Sequence, residues 1–493
     1  MNLGPTVVLH AGSSGECVGV TDGAFHFQFG SQQQDSALAN VERAIMNEDK
    51  EVTASKIGYV SVVYLMPAAA AGNAESVPTF INQLEGAYTA QMAANGPDNL
   101  GADVGNSGQT PLIQVLIASS GLQAAEYQVT EHIILSDITS QRVVAVDGIA
   151  ISLQGTVREA TELAVADHIP IFGSTLTADE FDNIPNMVRV APSNEQEVEQ
   201  ILAYVKAKLK SRSALIVEDT NPTDPYTQTI SAEFAAAFPD RAHQLLPPQT
   251  YDTDPTVDPT GQITRGQLSQ IPLDICASKP DVVLFGGRGE DLATLIGDLA
   301  HRPCSQPVTI VTGDDVINVQ VAGNAPVLAG LASGVTVYYP GEFNPGEWST
   351  PPGTNAPEVL VAGQNVYSQA QAGYSAFAGE FSALFPRAAA PDANVALAYD
   401  AMLTSVADIR LANSGIAPAP SAVAQELNKL QGPRTVYGAS GPVQLSGFYG
   451  QIGKAQPQGS NPIGKLIPIL SLPKGGVTSF KALEQVPLPA NGG

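Results

Sequence analysis

Positive charge is scarce in this chain: 23 lysines and arginines stand against 48 aspartates and glutamates, a formal net charge of −25. Nucleic acid and anionic membrane surfaces select a basic footprint, so neither is expected as a partner. Long apolar runs are also missing. A membrane span needs roughly 18 or more apolar residues in a row, and the best stretch, 57–71, is interrupted by Pro67. Direct membrane insertion is therefore not expected. The six histidines, at 10, 26, 132, 168, 243 and 301, include no metal-spaced pair such as His-x-x-x-His. His168, just ahead of an apolar run, reads as structural rather than as a general base. No Gly-x4-Gly-Lys-Ser/Thr phosphate loop occurs. The Ser/Gly clusters Gly12-Ser13-Ser14-Gly15 and Gly438-Ala439-Ser440-Gly441 both miss the Gly-x-Ser-x-Gly nucleophile elbow. The acidic loop Asp252-x-Asp254-x-x-x-Asp258 lacks the sixth-position Gly and the terminal Glu of an EF-hand, and reads as a solvated insertion. No cofactor, no metal and no catalysis are expected.

Cysteine is rare but informative. Cys276 ends a helix-like segment before the apolar run Val282–Phe285, and Cys304 follows the next helix. One strand–helix excursion returns those two ends to the same sheet edge, so a Cys276–Cys304 disulfide is expected, the alternative being two unpaired structural cysteines. A disulfide favours an oxidising compartment. The 14% charged content, common in secreted proteins, agrees with that. Cys17 then has no partner and lacks the Leu-x-Gly-type run that precedes a lipid-modified cysteine. No basic–apolar–small-residue leader is read at Met1.

The chain is rich in short β-branched apolar runs alternating with helical patterns, and one stretch organises the reading. In Val143–Phe181 the apolar run 143–146 leads to Asp147-Gly148 and a loop carrying Ser152. A helix with Val157, Ala160 and Ala164 on one face follows, then the apolar run 169–172 and Gly173-Ser174-Thr175-Leu176-Thr177. Such a unit requires a right-handed crossover and a parallel sheet. In parallel sheets ligands sit beyond the strands' carboxyl ends, where hydroxyls and free N–H groups can hold an anion. Ser152, Thr175 and Thr177 are either such ligands or plain helix caps.

In chain order, Phe25–Phe29 alternates like a half-buried strand. A helix carrying Leu38, Val41 and Ile45 follows Asp35. Strands are read at 57–65 and 112–118, helices at 79–94 and 122–138, with a Gly/Asn/Asp loop at 96–109 long enough to be an insertion or lid. The pattern restarts near Pro192: helix 195–209, strand 214–217, helix 226–238, strand 243–246. A second strand–loop–helix–strand unit spans 282–311 and ends in Thr312-Gly313-Asp314-Asp315. A strand at 335–339, a loop at 341–364, helices at 368–385, 394–411 and 423–430, and strands near 442–445 and 466–472 complete it. Two similar half-chains, each with a polar strand-end loop, imply an α/β fold of two doubly wound parallel-sheet lobes.

Four stretches then carry a resemblance: Gly148-x-x-x-Ser152 after a strand; Ile169-Pro170-Ile171 leading to Ser174-Thr175-Leu176-Thr177; Asp219 followed by Pro225-Tyr226; and Gly286-Gly287-Arg288 with Gly313-Asp314-Asp315. Their order and spacing, over roughly 57–472, resemble the type I periplasmic binding proteins. Within that group the chain is similar to the branched-chain amino-acid-binding class of ABC-importer solute receptors, whose fold also serves as the Venus-flytrap ectodomain of receptors. The resemblance implies a multi-strand hinge, with 56–192 and 335–416 in lobe 1, and 193–334 and 417–480 in lobe 2. Residues 1–55 would be an N-terminal extension packed on lobe 1, and 481–493 a frayed tail.

It also implies that Ser152 and Thr177, with Thr175 nearby, hold a ligand carboxylate. Tyr226 and Arg288 would line the second lobe, and Asp315, with Asp314 as the alternative, would receive an ammonium. Tyr64 would wall the pocket. Arg288 stands where amino-acid binders often carry an aromatic. It either forks onto a second ligand carboxylate or pairs with Glu290, Asp291 or Asp314. The implied function is capture of a small polar solute, an amino acid or related carboxylate, by hinge closure outside the cell or in the periplasm. Delivery to the permease of an ABC importer would follow, or else signalling as the sensing ectodomain of a larger receptor.

Overall fold

The computed structural model describes residues 2–4, 7–12, 16–68, 77–96, 110–319, 321, 323–348, 358–361, 363–388, 390–413, 417–427, 429–445, 460–472 and 481–487. The expected loop 96–109 lies almost wholly outside them, as do 349–357 of the loop 341–364 and residues 488–493 of the tail.

The apolar runs form two large sheets. The first contains β1 (Asn2–Gly4), β2 (Val7–Ala11), β3 (Cys17–Thr21), β4 (Tyr59–Met66), β5 (Leu112–Ser119), β6 (Val143–Gly148), β7 (Ile171–Gly173) and β8 (Met187–Arg189). Its order is β1-β2-β3-β5-β4-β6-β7-β8, parallel from β5 to β8 and antiparallel across β1, β2, β3 and β5. The second contains β9 (Ser213–Asp219), β10 (Gln244–Leu245), β11 (Gln249–Tyr251), β12 (Val282–Gly286), β13 (Val308–Val311) and β14 (Val335–Pro340). Two short hairpins follow, β15 (Leu360–Val361) with β16 (Gln364–Asn365) and β17 (Val436–Gly438) with β18 (Gly441–Val443). The chain then returns as β19 (Leu466–Leu472) and β20 (Lys481–Pro487). The second sheet runs β10-β9-β12-β13-β14-β19-β20, with β11 also on β9 and only β19 and β20 antiparallel.

Strand periodicity sends alternate side chains to opposite faces, and each sheet is therefore covered on both. On β4, Val60, Val62, Tyr64 and Met66 enter one apolar cluster while Val63 and Leu65 enter the other. On β12, Val283 and Phe285 face one side and Val282 and Leu284 the opposite side. The helix Ala393–Ala412 is buried at every residue from Ala393 to Arg410, wedged into the first lobe. Cys276 and Cys304 form a disulfide closing the unit around β12.

Several expected boundaries need correction. Residues 335–340 are in the second sheet, not lobe 1, because β14 pairs in parallel register with β13. Residues 423–445 belong to the first lobe instead of lobe 2, since Val423, Leu427, Val436, Val443 and Leu445 pack into its core. Residues 481–487 are not a frayed tail but strand β20, paired with β19. Residues 25–29 form no strand. The backbone N–H of Phe27 goes to the Glu42 carboxylate at 3.2 Å and that of Phe29 to Asp35 at 2.9 Å, so this stretch is held by the helix Gln32–Ala54 rather than by a ladder. The chain passes between lobes after β8, after β14 and ahead of β19.

Candidate functional site

The loops beyond the carboxyl ends of the parallel strands face each other across the two lobes. In lobe 1, β6 ends at Gly148, whose φ of 97° and whose approach to Leu65 (an added Cβ would lie 2.6 Å from its carbonyl oxygen) both require glycine. The turn brings Ser152 under the loop after β7, where its Oγ accepts the N–H groups of Thr177 and Ala178, each at 3.2 Å. Thr175 Oγ1 donates to the Ala150 carbonyl at 2.5 Å. Thr177 Oγ1 points across the gap to Asp314 Oδ1 at 3.5 Å. Ser152 and Thr175 thus tie the two loops together without standing at the N-cap position of either neighbouring helix, and Thr177 is the hydroxyl that addresses the other lobe.

In lobe 2, Asp224 caps the helix Pro225–Ala237, which starts with proline and places Tyr226 in its first turn. Arg288 ends the loop after β12 and precedes the helix Gly289–Leu299. Its guanidinium lies 4.4 Å from the Tyr226 ring centroid. It forks onto Asp224, with Nε and Nη2 each 2.8 Å from a carboxylate oxygen, and Nη2 also donates to the Ser152 carbonyl at 2.8 Å. Asp315 Oδ1 lies 3.8 Å from Nη1. Of the expected partners, Asp291 instead meets the Tyr251 hydroxyl at 3.4 Å. The fork is filled by Asp224, a residue 64 positions away that the sequence pattern does not single out.

The two neighbouring aspartates differ in employment. Asp315 accepts the Gly289 N–H at 2.5 Å and Asn318 Nδ2 at 2.7 Å, closing the start of the helix Gly289–Leu299. The Tyr226 hydroxyl accepts the Asp315 N–H at 3.2 Å. Asp314 faces Thr177 and lies near Glu197 and Glu342. Burial, reinforced by Asp315, raises the Asp314 carboxyl to about 6. Burial would lower Arg288, but Asp224 and Asp315 outweigh it and hold the guanidinium above its usual value.

These groups enclose a cavity of about 20 Å³ between the lobes, room for about one water. Its walls include Ser152, Thr175 and Thr177 on one side and Tyr226, Arg288, Asp314 and Asp315 on the other; Ile151, Asn394, Ile317, Asn318 and Glu342 are walls the sequence did not single out. Tyr64 is not a wall: it sits inside β4, on the face buried in the first lobe's core. The Ser440 cluster is also apart. Ser440 Oγ lies 2.6 Å from Lys465 Nζ and donates to Asp400, with all three residues at most 2% exposed, a buried polar cluster inside the fold.

Two sheet-based lobes, three crossings and a polar cleft at the strand ends define a two-lobed binding protein. The chain belongs to the periplasmic binding protein family, whose sequence model matches residues 138–453, more than half of the molecule. The fold is of type I, shared with solved structures of low identity. The leucine binding protein LivK from Thermotoga maritima matches at 14% identity and a TM-score of 0.60, over 87% of this chain and 99% of that one. LivJ from Streptococcus pneumoniae, in complex with isoleucine, matches at 15% and 0.55, over 86% and 99%. A solute binding protein of an ABC transporter from R. palustris, in complex with benzoate, matches at 17% and 0.56, over 88% and 99%. No curated protein matches the sequence.

Proposed function

We propose that this chain is an extracellular or periplasmic solute-binding protein that clamps a small carboxylate-bearing solute, an amino acid first, and hands it to an ABC importer without making or breaking a bond. The observation that carries this is the meeting of strand-end loops from both lobes, through Arg288–Ser152 and Thr177–Asp314. Solute would enter an open form, take the loop N–H groups and hydroxyls around Ser152, Thr175 and Thr177 for its carboxylate, and place its ammonium against Asp314. Asp314 is favoured over Asp315 because Asp315 is already occupied by Gly289 and Asn318. Tyr226 and Arg288 would form the floor of the second lobe. Closure then follows from contacts made only when the lobes meet. The leucine, isoleucine and benzoate named for the similar folds agree with a carboxylate-bearing solute. Among the described residues no helix is long and apolar enough to cross a membrane, which agrees with a receptor free of its permease.

Thermal unfolding in the presence of amino acids, aromatic carboxylates and sugars tests this reading. A ligand at 100 times its Kd stabilises by about 2.7 kcal/mol, so the true class should raise the midpoint by several degrees. Asp314→Ala should abolish the shift given by an amino acid. A response to sugars alone would overturn the assignment.

A further inference from the structure

We propose that Glu197, Asp314 and Glu342 form an oxygen-donor site for one hard divalent cation, of the calcium, magnesium or manganese class, at the hinge side of the cleft. One carboxylate oxygen from each of the three lies within 4.8 Å of the others. They come from three separate segments. Glu197 is in the first turn of the helix Asn194–Tyr204, just after the chain leaves β8; Asp314 follows β13; Glu342 follows β14, where the chain turns back toward the first lobe.

An acidic cluster alone would be weak ground, because exposed carboxylates gather without any ligand. Glu197 supplies the second observation. It is fully buried, and neither of its carboxylate oxygens has a hydrogen-bond partner outside the cluster. No ion pair reaches it among the described residues. What acts on it is the Asp314 backbone N–H and carboxyl, the Glu342 carboxylate and, only through space, the Arg189 guanidinium; a buried carboxylate set beside two others with so little compensation is strongly disfavoured. A cation at their centre would satisfy all three groups at once.

The donor set decides the class of ion. Oxygen donors with no thiolate or imidazole suit calcium, magnesium or manganese rather than zinc or copper. Such ions complete their shell with hydroxyls or water. Thr177 Oγ1 lies 3.5 Å from Asp314 Oδ1, and the 20 Å³ cavity lined by Asp314 and Glu342 has room for about one water. Three carboxylates around a divalent ion leave one net negative charge, so the site would still attract an ammonium brought by a solute. The cation would also join both crossing segments to the cleft, stiffening the hinge from behind.

The test uses the full chain stripped with a chelator and dialysed, titrated calorimetrically with calcium, magnesium or manganese chloride alone. One ion per chain is expected to bind saturably, with a rise in the thermal midpoint. Glu197→Gln, which keeps the shape and removes the charge, is expected to weaken that binding at least tenfold while leaving the metal-free midpoint at or above that of the parent. If Glu197→Gln fails to fold, Glu342→Gln gives the same reading. Absence of saturable binding of all three ions up to millimolar concentration overturns the site, as does unchanged affinity in the folded variant. Because no organic solute is present, failure here leaves the solute screen to be judged separately.

Discussion

Arg288 carries the second lobe into the first. Its guanidinium is neutralised by Asp224 and Asp315, stacked on Tyr226 and hydrogen-bonded to the Ser152 carbonyl. The last bond crosses the gap, alongside Thr177–Asp314 and the backbone bond from Gln154 N–H to the Thr223 carbonyl, so the residue acts as a latch as well as a filler. Arg288→Ala should loosen the closed form and leave two buried carboxylates without their counter-ion. Removing one partner of a buried pair costs about 3–5 kcal/mol. With Arg288 and Asp224 side chains 14% and 8% exposed, about 3 kcal/mol is expected in denaturant unfolding, with a larger radius of gyration in small-angle scattering. An unchanged radius would show that the latch does not hold the lobes. The sequence marks Arg288 through the Gly-Gly pair ahead of it. It cannot mark Asp224 as the partner, because that pairing depends on how β9 and β12 lie side by side. Ser152, Thr175 and Thr177 are legible as strand-end hydroxyls; which one looks outward is decided by the loop hydrogen bonds, and those are set in three dimensions.

At the level of elements, apolar runs marked most strands and helical spacing most helices within a few residues, since both signals are local. Sheet membership is not local. The run 335–340 looks like any other buried strand, and only its register with β13 assigns it to the second lobe. Alternation of Phe25, Phe27 and Phe29 comes from packing, not from a ladder: Phe27 and Phe29 stack at 5.4 Å against the core. The helix Ala393–Ala412 is buried nearly all round, its polar residues Asp400, Thr404, Ser405, Asp408 and Arg410 included, because helices and sheet surround it. Its closest neighbour is the helix Val77–Asn95, where Gly86 permits the approach: an added Cβ would stand 2.2 Å from the Val395 carbonyl oxygen. Alanine in a helix interior gains about 0.5–1 kcal/mol over glycine, while overpacking a tight contact costs about 1–3 kcal/mol. The backbone oxygen cannot swing away, so Gly86→Ala should be destabilising by about 2 kcal/mol in chemical denaturation. A neutral or stabilising result would mean the two helices are less tightly apposed.

Across the whole molecule, acid groups are not confined to the surface. Burial pushes the carboxyls of Asp49, Asp147, Glu347 and Asp408 well above their usual range, and raises Glu42 and Glu159 to about 8. In the unfolded chain these glutamates would titrate near their ordinary value of about 4.3. Between that value and about 8 the folded protein binds more protons than the unfolded chain, so stability falls as pH rises through the window. Calorimetric midpoints should therefore be higher at pH 5 than at pH 8. A midpoint that climbs over the same interval would contradict the buried, protonated state of Glu42 and Glu159. None of this is visible in composition, where the excess of acids reads only as a solvated negative surface.

β1 is the outermost strand of the first sheet and β20 the outermost of the second. A swing of one lobe on the other therefore alters the separation of two places that lie near opposite ends of the polypeptide. Dyes attached there would turn any closure of the kind proposed above into an optical signal.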